Sequence, residues 1–396
     1  MKYKLGEICD FINGGAWSDK EYVNEGLPVL KVTNCKTQGF NLADINHLPL
    51  SLAKKYEKNK LKICDVIIAT VGSHPNLIES AAGRTCIVNT LVDGFYLNQN
   101  AVCLRTKDKD ILDQKYLGYH SKYRLFQHYI QMSGRGAANQ MRIPISAIKN
   151  YEFDFPKIEI QQKVGKILSA YDDLIENNQK QIKLLEEAAQ RLYKEWFVDL
   201  RFPGYETTPI IDGVPEGWEK EFLINLVDVQ YGYAFNGSLF NNNGNGMPIV
   251  RIRNIPEGIT MDFTTEEASK EYIVHNGDIL VGMDGEFHIN SWGGKDAYLV
   301  QRTCCLRPKF NYMKGYLFQA IAEPIKYFEK TVVGATVAHL GKKHIDTIKI
   351  FKAPVELYRP FQIWYEKRQS LINQNRLLVE ARDRLLPKLM NGELEV

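Results

Sequence analysis

The chain has 396 residues, 44% hydrophobic and 24% charged, with a net charge of +3. This composition is ordinary for a soluble globular protein of two or three domains. No run of 18 apolar residues occurs, the opening MKYKLGEICD lacks an apolar signal core, and the seven cysteines never form Cys-x-x-Cys. We therefore expect a cytoplasmic protein without a membrane span, a disulfide framework or a zinc site.

A long internal repeat organises the chain. PVLKVTN at 28–34 recurs as PIVRIRN at 248–254, and YLNQNAVCLR at 96–105 recurs as YLVQRTCCLR at 298–307 with six of ten residues identical. The matching segments follow one another in the same order with small insertions between them. We infer a tandem duplication of roughly 190 residues, far longer than the periods of short-repeat solenoids.

Each copy opens with a region rich in Val, Ile, Thr, Tyr and Phe, in short runs broken by Gly, Asn, Asp and Pro. Such runs predict short strands joined by turns. A helical segment follows. In 156–200, apolar residues recur at alternating spacings of four and three, which is typical of a heptad seam. In 356–396 the seam is less regular, because Arg368 and Arg382 interrupt it, and Pro387 is expected to end or kink the helix.

One polar residue occupies the same place in both predicted seams. Asn178 lies in LIENN and Asn375 in the matching LINQN. An asparagine inside an apolar seam lowers stability and fixes the register of the two helices. We expect that role for the pair, the alternative being that each asparagine faces solvent.

The order of segments predicts an α/β (α+β) fold with two similar globular domains separated by two long antiparallel helices that form a coiled coil. The result is a pseudo-twofold tandem repeat. A helix of ~37 residues spans ~55 Å, so the helices are suited to hold two similar binding surfaces at a fixed separation. The predicted segments are a first domain at 1–155, a helix at 156–200, a Pro- and Gly-rich linker at 201–219, a second domain at 220–355 and a second helix at 356–396.

This layout resembles the DNA-specificity subunits of type I restriction–modification enzymes. The phrases LGEICDFINGG, CDVIIATVG, NQNAV and SGRGA carry the resemblance, with the helix IQQKVGKILSAYDDLIENN, the restart DGVPEGWE and the ending RLLPKLMNGELEV. The resemblance extends over essentially the whole chain in the family's order. The second copy departs from it in its Arg-interrupted seam and in TVVGATVAHLG, which lacks the Ser-Gly of SGRGA.

The resemblance implies two target-recognition domains that each read one half of a split site in double-stranded DNA. It implies that the helices set the spacer and bind two methyltransferase (modification) subunits. The chain itself is then not an enzyme, because methylation and ATP-dependent cleavage belong to the methyltransferase and the restriction/translocase subunits. S-adenosylmethionine, ATP and Mg are expected only in those partners.

The motifs of the corresponding enzymes are absent from the sequence. It contains no Pro-Pro for an adenine methyltransferase motif, no Pro-Cys nucleophile and no Gly-x4-Gly-Lys-Ser/Thr phosphate loop. The histidines are dispersed, so no metal site is predicted. The alternative function is a two-headed coiled-coil adaptor that binds proteins rather than DNA, which would show no salt-dependent DNA affinity.

The two copies also suggest where DNA is read. The small net charge gives no global positive field, so local patches are needed. Positions alike in both copies, such as Asp65 and Asp278, cannot distinguish two half-sites and are interpreted as scaffold. Loop positions with side chains that suit base edges or phosphates are the candidates.

In the first domain the candidates are Lys31, Asn34, Ser73, His74, Asn76, Arg135, Asn139, Gln140 and Arg142. In the second domain they are Tyr233, Arg251, Arg253, Asn254, Asp284, His288, Asn290, Trp292, His339 and Lys342. Solvent-exposed turns are the alternative for the loops, and strand-end hydrogen bonding is the alternative for Lys31 and Asn34.

Overall fold

The computed structural model describes residues 2–36, 39–72, 82–137, 140–332 and 338–396. The chain forms two compact units, one of Met1–Asp173 with Glu380–Val396 and the other of Leu174–Val379. Each unit therefore contains one globular domain and parts of both long helices. Within the described residues, none of the helices combines the length and apolar character needed to cross a membrane.

The first unit is built on an antiparallel four-stranded sheet in the order β2-β11-β7-β9. Its strands are β1 (Lys2–Lys4), β2 (Cys9–Asn13), β3 (Leu27–Leu30), β4 (Cys35–Lys36), β5 (Gly39–Phe40), β6 (Asn46–Leu48), β7 (Val66–Ala69), β8 (Val71–Gly72), β9 (Thr85–Ile87), β10 (Tyr96–Leu97), β11 (Ala101–Thr106), β12 (Arg135–Ala137), β13 (Gln140–Arg142) and β14 (Glu152–Asp154). Its helices are α1 (Leu5–Ile8), α2 (Gln114–Lys122), α3 (Arg124–Met132) and α4 (Ile145–Asn150), followed by residues 158–173 of α5 (Ile158–Tyr193).

The second unit repeats this plan with the sheet order β18-β26-β23-β24. Its strands are β15 (Ile210–Ile211), β16 (Val214–Pro215), β17 (Glu219–Phe222), β18 (Val227–Tyr231), β19 (Phe240–Asn241), β20 (Met247–Val250), β21 (Phe263–Thr264), β22 (Ile273–Val274), β23 (Ile279–Gly282), β24 (Ile289–Ser291), β25 (Ala297–Leu299), β26 (Thr303–Pro308) and β27 (Lys349–Lys352). Its helices are α6 (Leu223–Leu226), α7 (Lys314–Ala320), α8 (Ala322–Thr331), α9 (Lys342–Ile345) and α10 (Arg359–Met390), whose last residues belong to the first unit.

The central strands explain why short apolar runs suffice to form two cores. In β7, sequence VIIA, Val66 and Ile68 pack into one hydrophobic core, whereas Ile67 and Ala69 pack into another on the opposite face. Side chains alternate between the faces of a strand, so a continuous apolar run is expected where both faces are covered. The matching strand β23 is divided between two cores in the same way.

The duplication predicted from the sequence is present in the backbone. The first three residues of each repeated heptapeptide lie in β3 and β20, which pair in parallel with β10 and β25 respectively. The last three residues form a 3-10 turn in both copies, at Val32–Asn34 and Ile252–Asn254. Gly14 and Gly232 occupy matching turns, where a Cβ atom would lie 1.8 Å from the Asn98 oxygen or 2.1 Å from the Val300 oxygen. Only glycine fits there. The predicted tandem α+β repeat is confirmed.

The long helices run antiparallel within each unit. In the second unit Arg368 of α10 pairs with Glu186 of α5 at 2.6 Å, and in the first unit Arg382 pairs with Asp172. The arginines that interrupt the predicted seam are therefore neutralised by carboxylates of the facing helix, as a poorly solvated charge requires. The helix α10 runs through Pro387 to Met390, so the prediction that this proline ends the helix is wrong, while the alternative that it kinks the helix stays a prediction.

The two seam asparagines meet within the second unit. Asn178 Nδ2 donates a hydrogen bond to Asn375 Oδ1 at 2.9 Å, and Asn178 is buried. The alternative that each asparagine faces solvent is thereby excluded. A polar contact between matching positions of the two helices is what a register-fixing asparagine pair requires.

Asn178→Leu alone is expected to destabilise the second unit by about 1–3 kcal/mol, because Asn375 is left without its partner in the seam. The double variant Asn178→Leu/Asn375→Leu should recover most of that loss, since two apolar side chains then face each other. Urea unfolding of both variants measures the difference. A double variant no more stable than the single one would contradict the pairing.

His120 lies in an aromatic cluster that joins α2 to β14. Its Nε2 is 2.9 Å from the Tyr151 hydroxyl, and its ring centroid is 4.2 Å from that of Phe153. Burial lowers the pKa of His120 to about 3. The imidazole is therefore neutral in the folded protein over a pH range in which the unfolded chain protonates it.

Stability of the first unit is consequently expected to fall as the pH decreases from about 6.5 towards 3. A depressed folded-state pKa means that the unfolded chain binds the proton first, and His120 should account for about 2 kcal/mol between pH 7 and pH 5. Urea unfolding at both pH values checks this. His120→Phe should reduce the difference between the two pH values by that amount, and an unchanged difference would contradict the assignment.

Candidate nucleic-acid interface

A buried ion pair in each copy forms part of the scaffold on which the candidate residues stand. Arg105 Nη2 lies 2.6 Å from Asp65 and also donates to the Lys60 oxygen at 2.7 Å. The hydrogen bond with Asp65 raises the pKa of Arg105. In the second copy Arg307 makes the equivalent contact with Asp278 at 2.7 Å. The identical arrangement agrees with the interpretation of these positions as scaffold.

The asparagines that end the two repeated heptapeptides form hydrogen bonds with the backbone. Asn34 Oδ1 accepts a hydrogen bond from the Lys31 N–H, and Asn254 Oδ1 accepts one from the Arg251 N–H, both at 2.9 Å. Asn34 is also buried and donates to the Asn41 oxygen. Strand-end hydrogen bonding therefore occupies both amides, and we do not retain Asn34 and Asn254 as DNA contacts.

The cations beside these asparagines lie over aromatic rings. Lys31 Nζ is 4.7 Å from the centroid of Tyr22, and the Arg251 guanidinium is 5.5 Å from that of Phe240. Both cations are half-buried. Because the contact is common to the two copies, it suits sequence-independent phosphate binding rather than base discrimination.

In the first domain the structure brings two candidate arginines together on a hairpin. Arg135 of β12 lies directly opposite Arg142 of β13, and both side chains are exposed. Like charges opposed across strands destabilise a sheet, and neither arginine forms an ion pair with another described residue. The buried Met141 anchors the hairpin between them. Since no carboxylate of the described residues pairs with these arginines, the hairpin presents a positive surface suited to an anion.

The other first-domain candidates are Gln140 in β13 and four residues of two predicted loops. The backbone of Gln140 belongs to β13. Ser73, His74, Asn76 and Asn139 lie outside the described residues.

Three second-domain candidates are held by the protein itself. Trp292 is 1% exposed and donates its Nε1–H to the Lys295 oxygen at 2.7 Å. Asn290 Nδ2 donates to two backbone oxygens at 3.0 and 2.9 Å. Arg253 makes a two-pronged contact with Asp262 at 2.7 and 2.9 Å. We withdraw Trp292 and Asn290 as DNA contacts, because one is in the core and the other links a strand to a loop.

Two second-domain candidates meet at the surface. His339 Nδ1 lies 2.6 Å from Asp284 Oδ1, and the backbones of the two residues form an isolated β-bridge. Arg302 joins them, with Nε 3.4 Å from Asp284 Oδ2. Arg302 is absent from the sequence-based candidates, although it occupies the position of the repeated decapeptide at which the first copy has Asn100. The difference between those two residues was the signal that could have identified it.

The remaining candidates are accessible but separate. His288 Nε2 lies 3.3 Å from Glu286. The Tyr233 ring packs against Phe235 and is partly exposed to solvent. Lys342 is exposed in the first turn of α9. Their contact with DNA stays a prediction. Within the described residues, no group of three or more His, Cys, Asp or Glu side chains could hold a metal ion.

Most of the chain matches a known family of DNA-recognition domains. The family model for the type I restriction modification DNA specificity domain matches residues 1–187 and 215–354. The chain belongs to this family. The resemblance inferred from the sequence is confirmed, and the function is recognition of a DNA sequence within a type I restriction–modification system.

Individual relatives agree with this assignment. The chain is 28% identical over 308 residues to the type I restriction enzyme MjaIX specificity subunit of Methanocaldococcus jannaschii, covering 73% of this chain and 71% of that protein. It is 21% identical over 471 residues to the type I restriction enzyme HindI specificity subunit of Haemophilus influenzae, covering 99% of both. A type I restriction–modification S subunit from M. genitalium shares the fold, with a TM-score of 0.57 and 16% identity over 98% of this chain and 96% of that one.

Proposed function

We propose that each globular domain reads one half of a bipartite DNA site. The observation that supports this most strongly is the duplicated scaffold with different surface residues. The Asp65–Arg105 contact recurs as Asp278–Arg307, whereas the exposed hairpin of the first domain carries Arg135 and Arg142. Equal scaffolds with unequal surfaces are what recognition of two different half-sites requires.

In this proposal the helices α5 and α10 fix the spacing of the half-sites and bind two methyltransferase subunits. Leu174 and Leu184 of α5 are 52% and 64% exposed, so apolar surface is available for a partner. Two large apolar residues just after α5 are not available in this way, because Phe197 is buried in the core of the second unit and Trp196 packs against that core. These two residues are therefore not part of the docking surface.

The chain itself is non-catalytic in this proposal and acts in the cytoplasm. The methyltransferase subunits supply the chemistry with S-adenosylmethionine, and the restriction/translocase subunits use ATP and Mg. The absence of Pro-Pro, Pro-Cys and phosphate-loop motifs from the sequence supports this division of labour.

Co-expression of the chain with the methyltransferase subunit of the same restriction–modification system tests the proposal. Mapping of methylated adenines on host DNA is expected to give a split motif with two defined halves and a fixed gap. Failure of the assembled complex to give such a motif would contradict the proposal. A chain that binds proteins without salt-dependent DNA affinity would support the two-headed adaptor instead.

A further inference from the structure

The backbone places three positions of each domain in the same arrangement. In the first domain the Thr70 N–H donates to the Asn100 oxygen at 2.9 Å, and the Ile143 N–H donates to the Thr70 oxygen at 2.8 Å. In the second domain Met283, Arg302 and Leu340 form the same two bonds at 2.9 and 2.8 Å. Asn100 and Arg302 are therefore structurally equivalent, and so are the neighbours of the other bonded residues in the two domains.

These equivalences define a surface triplet in each domain. The triplet of the first domain is Val71, Asn100 and Arg142, and that of the second domain is Asp284, Arg302 and His339. The backbone hydrogen bonds are shared, but all three side chains differ in chemical type. By the same reasoning that assigns Asp65 and Asp278 to the scaffold, the triplets are suited to distinguish two half-sites.

In the second domain the triplet holds an arginine whose Nη donors have no hydrogen-bond acceptor among the described residues. A carboxylate only accepts hydrogen bonds, so His339 Nδ1, 2.6 Å from Asp284, must carry the hydrogen and donate it. Arg302 Nη1 lies 3.3 Å from the same Nδ1, where one donor faces another. The contact of Arg302 Nε with Asp284 is long, at 3.4 Å, and 55% of the arginine side chain is exposed.

The backbone of Arg302 is also strained. Its φ is +71°, in the left-handed region that asparagine and glycine adopt more readily than arginine. The first domain has asparagine at this position, but Asn100 does not adopt a positive φ, so the left-handed conformation belongs to the second domain alone. An arginine kept where a shorter residue would relieve strain is the kind of outlier that marks functional sites.

We propose that Arg302 is a specificity-determining residue of the second domain and reads a guanine in its half-site, with Asp284 as a positioning residue. This inference rests on the proposed function, because it assigns the base contact within the second recognition domain. Asp284 restrains the Nε side of the guanidinium, which leaves the Nη edge for the O6 and N7 acceptors of guanine.

A base edge fits this environment better than a phosphate. Asp284 lies 3.4 Å from the guanidinium, and its carboxylate would repel a phosphate in the same place. A G·C pair offers acceptors to the arginine and, at the cytosine N4, a donor to the carboxylate. The arginine and the aspartate can therefore read one base pair together.

Arg302→Lys tests the proposal in the full chain assembled with its methyltransferase. Lysine keeps the charge but cannot form the planar two-pronged contact. We expect preference for one G·C pair, in one half of the motif only, to fall by about 10- to 100-fold, while affinity for non-specific DNA and its salt dependence stay unchanged. Asp284→Asn should cause a smaller loss at the same base pair.

Arg302→Asn separates this role from a structural one. Asparagine suits the left-handed backbone, so the variant should unfold at the same or a higher temperature and still lose the G·C preference. Arg201→Lys, at an exposed arginine of the predicted linker in the same unit, is the matched control and should leave the motif unchanged.

The outcomes distinguish this inference from the proposed function. Lack of a split motif with the wild-type chain would overturn the proposed function and, with it, this assignment. A wild-type motif that survives both substitutions of Arg302 would overturn the assignment alone. An Arg302→Asn variant that binds all sequences more weakly, with a smaller salt dependence, would identify a phosphate contact and likewise overturn base reading.

Discussion

Asp278→Ala is expected to lower the free energy of unfolding of the second unit by about 3–5 kcal/mol. The Asp278 side chain is 7% exposed and pairs with Arg307 at 2.7 Å. It also accepts a hydrogen bond from the His275 N–H at 3.0 Å. Alanine leaves the guanidinium poorly solvated and without its carboxylate. Because 33% of the Arg307 side chain is exposed, we expect the lower end of this range.

Urea unfolding measures this effect, and the chain offers two controls. Asp65→Ala removes the equivalent contact from the first unit and should lower the free energy of unfolding of that unit by a similar amount. Asp296→Ala removes an exposed hydrogen bond with His275, in which the aspartate is 57% exposed, and should cost no more than about 1 kcal/mol. Equal effects of Asp278→Ala and Asp296→Ala would show that the buried pair is not a central part of the scaffold.

Replacing Arg135 and Arg142 together by alanine is expected to weaken DNA binding by about 10- to 100-fold at low salt, and to reduce the slope of log K against log salt by about 2. The two arginines face each other across β12 and β13 without a described carboxylate partner. The same change removes a like-charge pair, so the free protein should become slightly more stable. Binding titrations at several salt concentrations, with thermal unfolding alongside, measure both effects.

The matched control for this variant removes two other exposed cations of the first domain. Lys58→Ala/Lys109→Ala changes the net charge equally but lies away from the hairpin in sequence. It should leave the salt dependence close to that of the wild type. Equal loss of binding in the two double variants would mean that overall charge, rather than the hairpin, attracts DNA.

Comparison of the two copies recovered most of the fold from the sequence. The repeated heptapeptide predicted equivalent backbone in the two copies, and its first residues lie in β3 and β20 with equivalent parallel partners. The repeat also separated scaffold from surface at Asp65 and Asp278. It succeeded because identical residues in both copies hold identical backbone contacts, which do not depend on the half-site being read.

Burial by distant segments could not be predicted in the same way. Asn290 and Trp292 appeared to lie in a polar loop, but β24 extends to Ser291 and pairs with β23. Helix α10 then covers this strand, with Arg368 donating hydrogen bonds to Asn290 at 2.8 Å and to Ser291. Nothing in the local sequence indicates that a helix some 75 residues later closes over these side chains.

The partners of the seam residues likewise could not be predicted from one helix alone. Arg368 and Arg382 looked like interruptions because the apolar pattern of one helix does not reveal the charges on the other. Their carboxylate partners, Glu186 and Asp172, belong to the facing helix. Asn178 and Asn375 were predictable as a pair only because both copies carry asparagine at the matching position.

Exchange of residues 1–155 for the corresponding domain of a relative with a different known site tests the central claim most directly. The chimera is co-expressed with the methyltransferase, and methylated adenines are mapped on host DNA. If each domain reads its own half-site, one half of the motif changes, while the other half and the gap between them stay the same. A change in both halves, or in neither, would contradict independent recognition by the two domains.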